Sequence, residues 1–363
     1  MAEVTDLADP APDDADSGPT RRGIDSLGLR EATLALGDQV SDAVAVGEAV
    51  EGLPLGAEIA NILVLGMGAS GVVGDVLVVL GDLFLPVPVV VAKGYDAPSF
   101  VGRDTLVIVV SSSGDTEETI QAAEEAQQSG GRMLVVAGGG RLTELAGEWG
   151  AALAPVPDSL PAPRTAIGAM AVPPLVALER MGLFPGAHGW IEAAADQLRR
   201  RAAVLDAGRS PAVDLARRIG RSLPIAYGAG AVGAVAATRW KTQVNENAKT
   251  PAFANVLPEL CHNEIAGWGQ HGDLTRQVFQ LVFLRHDEEH PQQSRRFEAL
   301  RVLLDEVVGA IHTVEAEGEG ALAQLLDLCL VGDMVSLELA AQEGVDPGPV
   351  PALTDLKRAL DDV

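Results

Sequence analysis

The stretch richest in reactive side chains runs from Gln243 to Trp268. Within it Glu246 sits between Asn245 and Asn247, and His262 stands in the tetrad Cys261-His-Asn-Glu264. A carboxylate and an imidazole, each flanked by amides able to fix its orientation, are the types that general acid–base catalysis needs. The residues leading in, Val232 to Ala237, are only alanine, valine and glycine, which predicts a buried helix. An ionisable group at the end of such a helix is costly unless it has a partner or a task. A plainer reading stays open. Glu246 and Lys249, at i,i+3, make a surface ion pair worth about 0.2–0.5 kcal/mol, and His262 is then a satisfied core histidine.

Two loops have the composition of an anion site. Gly66-Met-Gly68-Ala-Ser70-Gly71 follows the apolar run Asn61–Leu65 and opens a helical run, so its glycines allow close backbone approach at a helix N-terminus, with Ser70 adding a hydroxyl. A dinucleotide site would also want an acidic residue at the end of the next strand, and Lys93 stands there. The second loop carries Ser111, Ser112, Ser113 and Thr116 between a strand and a helix whose first turn holds Glu117 and Glu118. Hydroxyls together with free N–H groups of a first helical turn form a cradle for a phosphate monoester, although single Ser and Thr residues at such places are commonly helix caps. Arg164, in Pro161-Ala-Pro-Arg164, is carried on a stiff connection and could supply a cation to that cradle; a surface arginine is the alternative. Lys357 lies on a short final helix where lysines are usually solvated. His286 and His290 flank Asp287, Glu288 and Glu289 and stop at Pro291, which predicts a solvated loop and no catalytic metal.

The elements that must position these residues alternate. Strands are expected at 61–65, 88–92, 106–110, 133–137 and 152–156, then at 223–227, 252–256, 278–285 and 310–314. Helical patterns fall between them, including one opened by Glu259 and a long one from Gly320 to Glu343. Such alternation means parallel sheets with helices on both faces. The expected organisation is an acidic disordered leader over 1–20, rich in aspartate and proline, and two tandem αβα sandwich units over 21–183 and 184–363. The chain has 363 residues, 47% of them apolar and only 4% aromatic, which suits close helix–sheet layers built from Ala, Val and Leu. A net charge of −25 argues against nucleic acid, whose phosphates require basic stripes. It leaves room for a small anionic ligand, because exposed charges are screened over about 8 Å at physiological salt. Two cysteines, Cys261 and Cys329, make no disulfide framework, and with no signal peptide legible they predict a cytoplasmic protein. No apolar run is expected to reach bilayer length.

Taken together these segments resemble the bifunctional phosphoglucose/phosphomannose isomerase family, whose members carry two sugar-isomerase (SIS) domains. The resemblance rests on GMGASG, SSSGDTEET, PRTAIG, QVNENAK and CHNEIAGW, with a lysine near the C-terminus, and it covers the chain from about Leu55 onward. It implies an aldose–ketose isomerase that interconverts fructose 6-phosphate with glucose 6-phosphate and/or mannose 6-phosphate through a cis-enediol, without a cofactor. It further implies that Ser70, Ser111, Ser113 and Thr116 bind the sugar phosphate beside Gly68. Glu246 would move the proton, Arg164 stabilise the enediolate, and His262 and Lys357 assist ring opening, with His262 reaching the site from the other subunit of a homodimer. Three places depart from the family pattern: Ser112 where an aromatic is common, Ala69 and Gly71 where Gly and Ala are expected, and Gly348 where a threonine is frequent. A non-catalytic sugar-phosphate sensor built from the same domains is the alternative function.

Overall fold

Valine- and leucine-rich runs, separated by glycine-broken helices, fold as two parallel sheets in this computed structural model, which describes residues 24–361. The expected leader over 1–20 lies outside those residues. The chain opens with α1 (Leu29–Leu34) and α2 (Leu36–Ala49). It then builds β1 (Asn61–Leu65), α3 (Gly68–Phe84), β2 (Val89–Ala92), β3 (Thr105–Ser111), α4 (Glu117–Gln128), β4 (Arg132–Ala137), α5 (Gly140–Trp149) and β5 (Ala152–Pro155). A 3-10 turn, Pro163–Thr165, leads into α6 (Ile167–Arg180), α7 (Ala187–Leu205) and α8 (Pro211–Ile219). The second sheet follows from β6 (Leu223–Ala229), α9 (Gly230–Gln243), β7 (Phe253–Leu257), α10 (Gly272–Val278), β8 (Phe279–Arg285), α11 (Pro291–Leu304) and β9 (Ala310–Glu315). α12 (Gly320–Glu343) and α13 (Pro351–Asp361) complete the described chain.

Strand order is β2-β1-β3-β4-β5 in the first sheet and β7-β6-β8-β9 in the second, all parallel. In each sheet the order reverses beside the first strand, between β1 and β3 and again between β6 and β8. At such a switch point the two loops leave in opposite directions and open a crevice at the carboxyl ends of the strands.

Side chains alternate across the sheets and divide the core. Leu106, Ile108 and Val110 of β3, with Val282 and Leu284 of β8, face one shared core filled by α3, α6, α7, α9 and α12. Val107 and Val109 face a second core under α4 and α5, while Tyr227, Leu281, Phe283 and Phe297 form a third under α11. α12 runs through the shared core. Contrary to the sequence expectation, it is long and apolar enough to cross a membrane, yet nearly all of it is buried inside the protein. Gly332 lets it approach α9: a Cβ there would lie 2.4 Å from Trp240 Nε1, which donates to Leu328 O at 2.8 Å.

Four local expectations change. Glu259 opens no full helix but two 3-10 turns, Glu259–His262 and Glu264–Gly267, followed by α10. α8 was not expected from the sequence; Ser210 caps it, accepting from Val213 N at 3.3 Å, and Pro211 occupies its first turn. α9, whose pattern in the sequence predicts a helix over Ala231–Asn247, stops at Gln243 and passes into a π turn, Val244–Ala248, closed by Lys249 at φ 56°. His286 lies in no solvated loop: it is 7% exposed, and its Nε2–H donates to Ala229 O at 2.8 Å.

Candidate active site

At the first switch point the loops after β1 and β3 are tied together by their hydroxyls. Ser70 Oγ, in the first turn of α3, accepts from Ser112 N at 3.2 Å and donates to Met170 Sδ at 3.6 Å. Ser111, at the end of β3, is 1% exposed; its Oγ accepts from Gly114 N at 3.1 Å and lies 3.0 Å from Thr116 Oγ1. Thr116 stands at the N-cap of α4 without a side-chain capping bond, so the hydroxyl is not spent on its own helix. Ser113 is exposed, its Oγ accepting from Asp115 N at 3.2 Å. Gly68 takes φ 52° with nothing near its missing Cβ, which leaves the backbone open there. The nearby acid, Asp115, turns away and accepts from Arg141 N at 2.8 Å.

The carboxylate and the cation meet where the second unit touches the 163–165 turn. Arg164 is 7% exposed, so the surface reading of it does not hold. Its Nε donates to Asn247 Oδ1 at 2.7 Å and its Nη2 to Pro347 O and Gly348 O, both at 2.7 Å. Its Nη1 lies 3.7 Å from Glu246 Oε2. Glu246 occupies the π turn, a widening of the helix that recurs at functional sites. Burial raises its carboxyl pKa above the ordinary glutamate value, with Arg164, Arg239 and Lys249 opposing the rise. Burial also lowers Arg164, opposed first by Glu246, yet a guanidinium stays charged at neutral pH. The amides do not orient the carboxylate as expected: Asn247 serves Arg164, and Asn245 Nδ2 donates to Thr250 O at 2.9 Å. Nor does Lys249 pair with the Glu246 carboxylate. Its Nζ donates to the Glu246 backbone carbonyl and, at 3.1 Å, to Pro347 O. The 346–348 loop is therefore strapped over the site by Arg164 and Lys249 together. Gly348 suits that strap, since a Cβ would come 2.8 Å from Leu27 Cγ.

Neither His262 nor Lys357 is bonded to Glu246 or Arg164. Both are exposed, and neither side chain makes a hydrogen bond or ion pair among the described residues. The segment bearing His262 is anchored by its neighbour Glu264, which accepts from the Tyr227 hydroxyl and from Asn255 Nδ2. Lys357 rides on α13, whose Leu353, Leu356 and Leu360 are also exposed. Among the described residues no group of three or more His, Cys, Asp or Glu is gathered as a metal site. A cleft of about 440 Å³, lined among others by Leu53, Glu58, Arg132 and Trp149, opens at the amino ends of β4 and β5. That is the edge opposite the hydroxyl loops, and ligands of parallel sheets bind at the carboxyl ends.

Sequence reasoning missed Arg239 and Asp333, whose charges act on the carboxylate, and Ser336, which accepts from Asn247 Nδ2. Asn247 and Lys249 were named from their position within QVNENAK, but with the Glu246 carboxylate as their partner; the structure gives Asn247 to Arg164 and Lys249 to backbone carbonyls.

Residues 57–142 match the SIS domain family, and residues 209–360 match the family described as bacterial phospho-glucose isomerase C-terminal SIS domain. The bifunctional phosphoglucose/phosphomannose isomerase of Caldicellulosiruptor bescii is 32% identical over 337 residues, spanning 92% of this chain and 99% of that protein. The protein of the same name from Aquifex aeolicus is 32% identical over 301 residues, spanning 83% and 90%. Among solved structures, the C-terminal domain of glucosamine-fructose-6-phosphate aminotransferase from Francisella tularensis superposes with a TM-score of 0.68 at 13% identity, covering 88% of this chain and 98% of that one. At that identity the likeness is one of fold.

Proposed function

This chain belongs to the bifunctional phosphoglucose/phosphomannose isomerase family, and from that premise we propose that it interconverts fructose 6-phosphate with glucose 6-phosphate, mannose 6-phosphate or both. The observation that carries the reading is the half-buried Glu246 carboxylate, its pKa raised by burial, facing the buried Arg164 guanidinium at 3.7 Å.

The chemistry follows from those two groups. In the open-chain aldose, Glu246 takes the proton from C2, and the electron pair forms a C1–C2 double bond while the carbonyl oxygen becomes an enediolate oxygen. Arg164 carries the compensating charge, and in a site shielded from water such a fixed cation stabilises far more than it would in bulk. A proton passes from O2 to O1, and Glu246 returns its proton to C1, leaving the carbonyl at C2. One carboxylate serves both transfers, and the substrate gains and loses no electrons, so no redox cofactor is required. The phosphate is held by Ser70, Ser111, Ser113 and Thr116, beside the open backbone at Gly68 and the free N–H groups of the first turn of α4.

Ring opening falls to His262 and Lys357. Their exposure without partners fits residues that become part of a site only when a second copy closes over it, so the working unit is a homodimer with His262 supplied across the interface. The compartment is the cytoplasm. Purified protein incubated with fructose 6-phosphate should form glucose 6-phosphate or mannose 6-phosphate, read by NMR. A ligand-dependent rise in melting temperature without any hexose product would favour a non-catalytic sensor instead.

A further inference from the structure

Beneath Glu246 and Arg164 lies a second ion pair that the proton transfer does not use. Arg239 of α9 and Asp333 of α12 are 2% and 3% exposed. They are joined twice, Nε to Oδ1 at 3.0 Å and Nη2 to Oδ2 at 2.6 Å. The same Nη2 donates to the backbone carbonyl of Arg164 at 2.8 Å. A parallel path leaves from the Asp333 carbonyl, which accepts from Ser336 Oγ at 2.6 Å. Ser336 Oγ accepts from Asn247 Nδ2 at 2.9 Å, and Asn247 Oδ1 accepts from Arg164 Nε at 2.7 Å. The pair thus grips Arg164 at both ends, main chain and guanidinium. A buried ion pair is a weak source of stability, because apolar residues of similar volume often serve as well.

We propose that Arg239 and Asp333 are positioning residues for the proton transfer, fixing Arg164 opposite Glu246 and keeping the charge beneath the carboxylate balanced. Four charged groups act on Glu246. They are Arg164 from the 163–165 turn, Arg239 from α9, Lys249 from the end of the π turn and Asp333 from α12. Three are cations, and Asp333 is the counterweight. Burial pushes the Asp333 carboxyl up, and Arg239 holds it back. Without Asp333, the Arg239 guanidinium, which cannot shed its proton, would act on Glu246 unopposed and make it a weaker base.

The inference rests on Glu246 being the base, so its test includes a readout that needs no turnover: titration of the Glu246 carboxyl by carbon-13 NMR, assigned with Glu246→Gln. Asp333→Asn should move both that titration and the acid limb of kcat/KM down by about one pH unit. Arg239→Met/Asp333→Asn should bring both back toward the wild type, although it removes more packing. Arg239→Lys keeps the charge but loses the forked contact. It should lower kcat by about tenfold or more at nearly constant KM and leave the acid limb in place, as expected of a small misplacement at a reacting centre. The proposal is overturned if Asp333→Asn titrates like the wild type, or if the double variant moves further from wild type than the single. Should Asp333→Asn fail to fold, a wild-type kcat in Arg239→Lys overturns it equally. A titration that shifts as expected in a protein without isomerase activity would retain the charge coupling and reject the assigned reaction.

Discussion

Gly66-x-Gly68-x-x-Gly71 after β1 and Gly228-x-Gly230-x-x-Gly233 after β6 turn the chain the same way, through φ 52° at Gly68 and 61° at Gly230. In both, the first and last glycines bring backbone against backbone: a Cβ on Gly71 would lie 2.8 Å from Gly66 O, and one on Gly233 2.9 Å from Gly228 Cα. Side chains then part the two crevices. Ser70 of the first loop corresponds to the buried Val232 of the second. Leu65 pairs with Val109 and Gly228 with Leu284, so matching the glycines puts Arg285 in the place of Ser111 and His286 in that of Ser112. Arg285 is taken up by Glu289, Nη2 to Oε2 at 2.9 Å, and His286 bonds across to Ala229 O. One backbone thus frames a hydroxyl-lined crevice in the first sheet, the proposed phosphate cradle, and a crevice filled by its own side chains in the second. The second unit's proposed part in the chemistry comes from the end of α9, where Glu246 sits.

That contrast can be broken by substitution. Glu246→Gln should lower kcat by about 10²- to 10⁴-fold with sugar-phosphate binding nearly intact, the range for loss of an acid–base group; unchanged turnover would remove Glu246 from the mechanism. In the wild type, kcat/KM should rise with pH as Glu246 loses its proton, with an acid limb above the ordinary glutamate value of 4.5 because burial raises this carboxyl. Ser111→Ala/Thr116→Val should raise KM by about 100-fold or more, since each of the two hydrogen bonds lost to a charged group is worth about 1.5–3 kcal/mol. A loss confined to kcat would place the phosphate elsewhere. His286→Ala sharpens the comparison from the other side. Thermal or urea unfolding should show about 1–3 kcal/mol less stability from the lost bond and the cavity, with KM unmoved; a KM rise like that of the hydroxyl variants would make the second crevice a binding site too. Ser113→Ala removes the most exposed of the four hydroxyls and should raise KM least, by about three- to tenfold.

Much of this was legible in the chain. The alternation of apolar runs with glycine breaks marked the nine strands of the described residues, and α12 falls on the residues its pattern predicted, because burial on all sides leaves a long, mainly apolar signature. The hydroxyl loop was legible because cradle chemistry is local: four hydroxyls within six residues of a strand end. Arg164 was only half legible. Its acceptors at 347 and 348 lie more than 180 residues away, and no local pattern reports them. His286 was misread because three acids follow it, and the composition of a loop outweighed its place at the end of a buried strand. The π turn left no signal, since one extra residue per turn changes neither propensity nor polarity.

The central claim is that Glu246 carries a proton between adjacent carbons of the sugar. The direct measurement is solvent isotope exchange: wild type and Glu246→Gln incubated in D₂O with fructose 6-phosphate, with deuterium at C1 and C2 followed by NMR. The account predicts that the wild type washes deuterium into the hexose phosphates as it isomerises them, and that Glu246→Gln loses exchange and turnover together while still binding the substrate. Exchange at the wild-type rate in Glu246→Gln would contradict it.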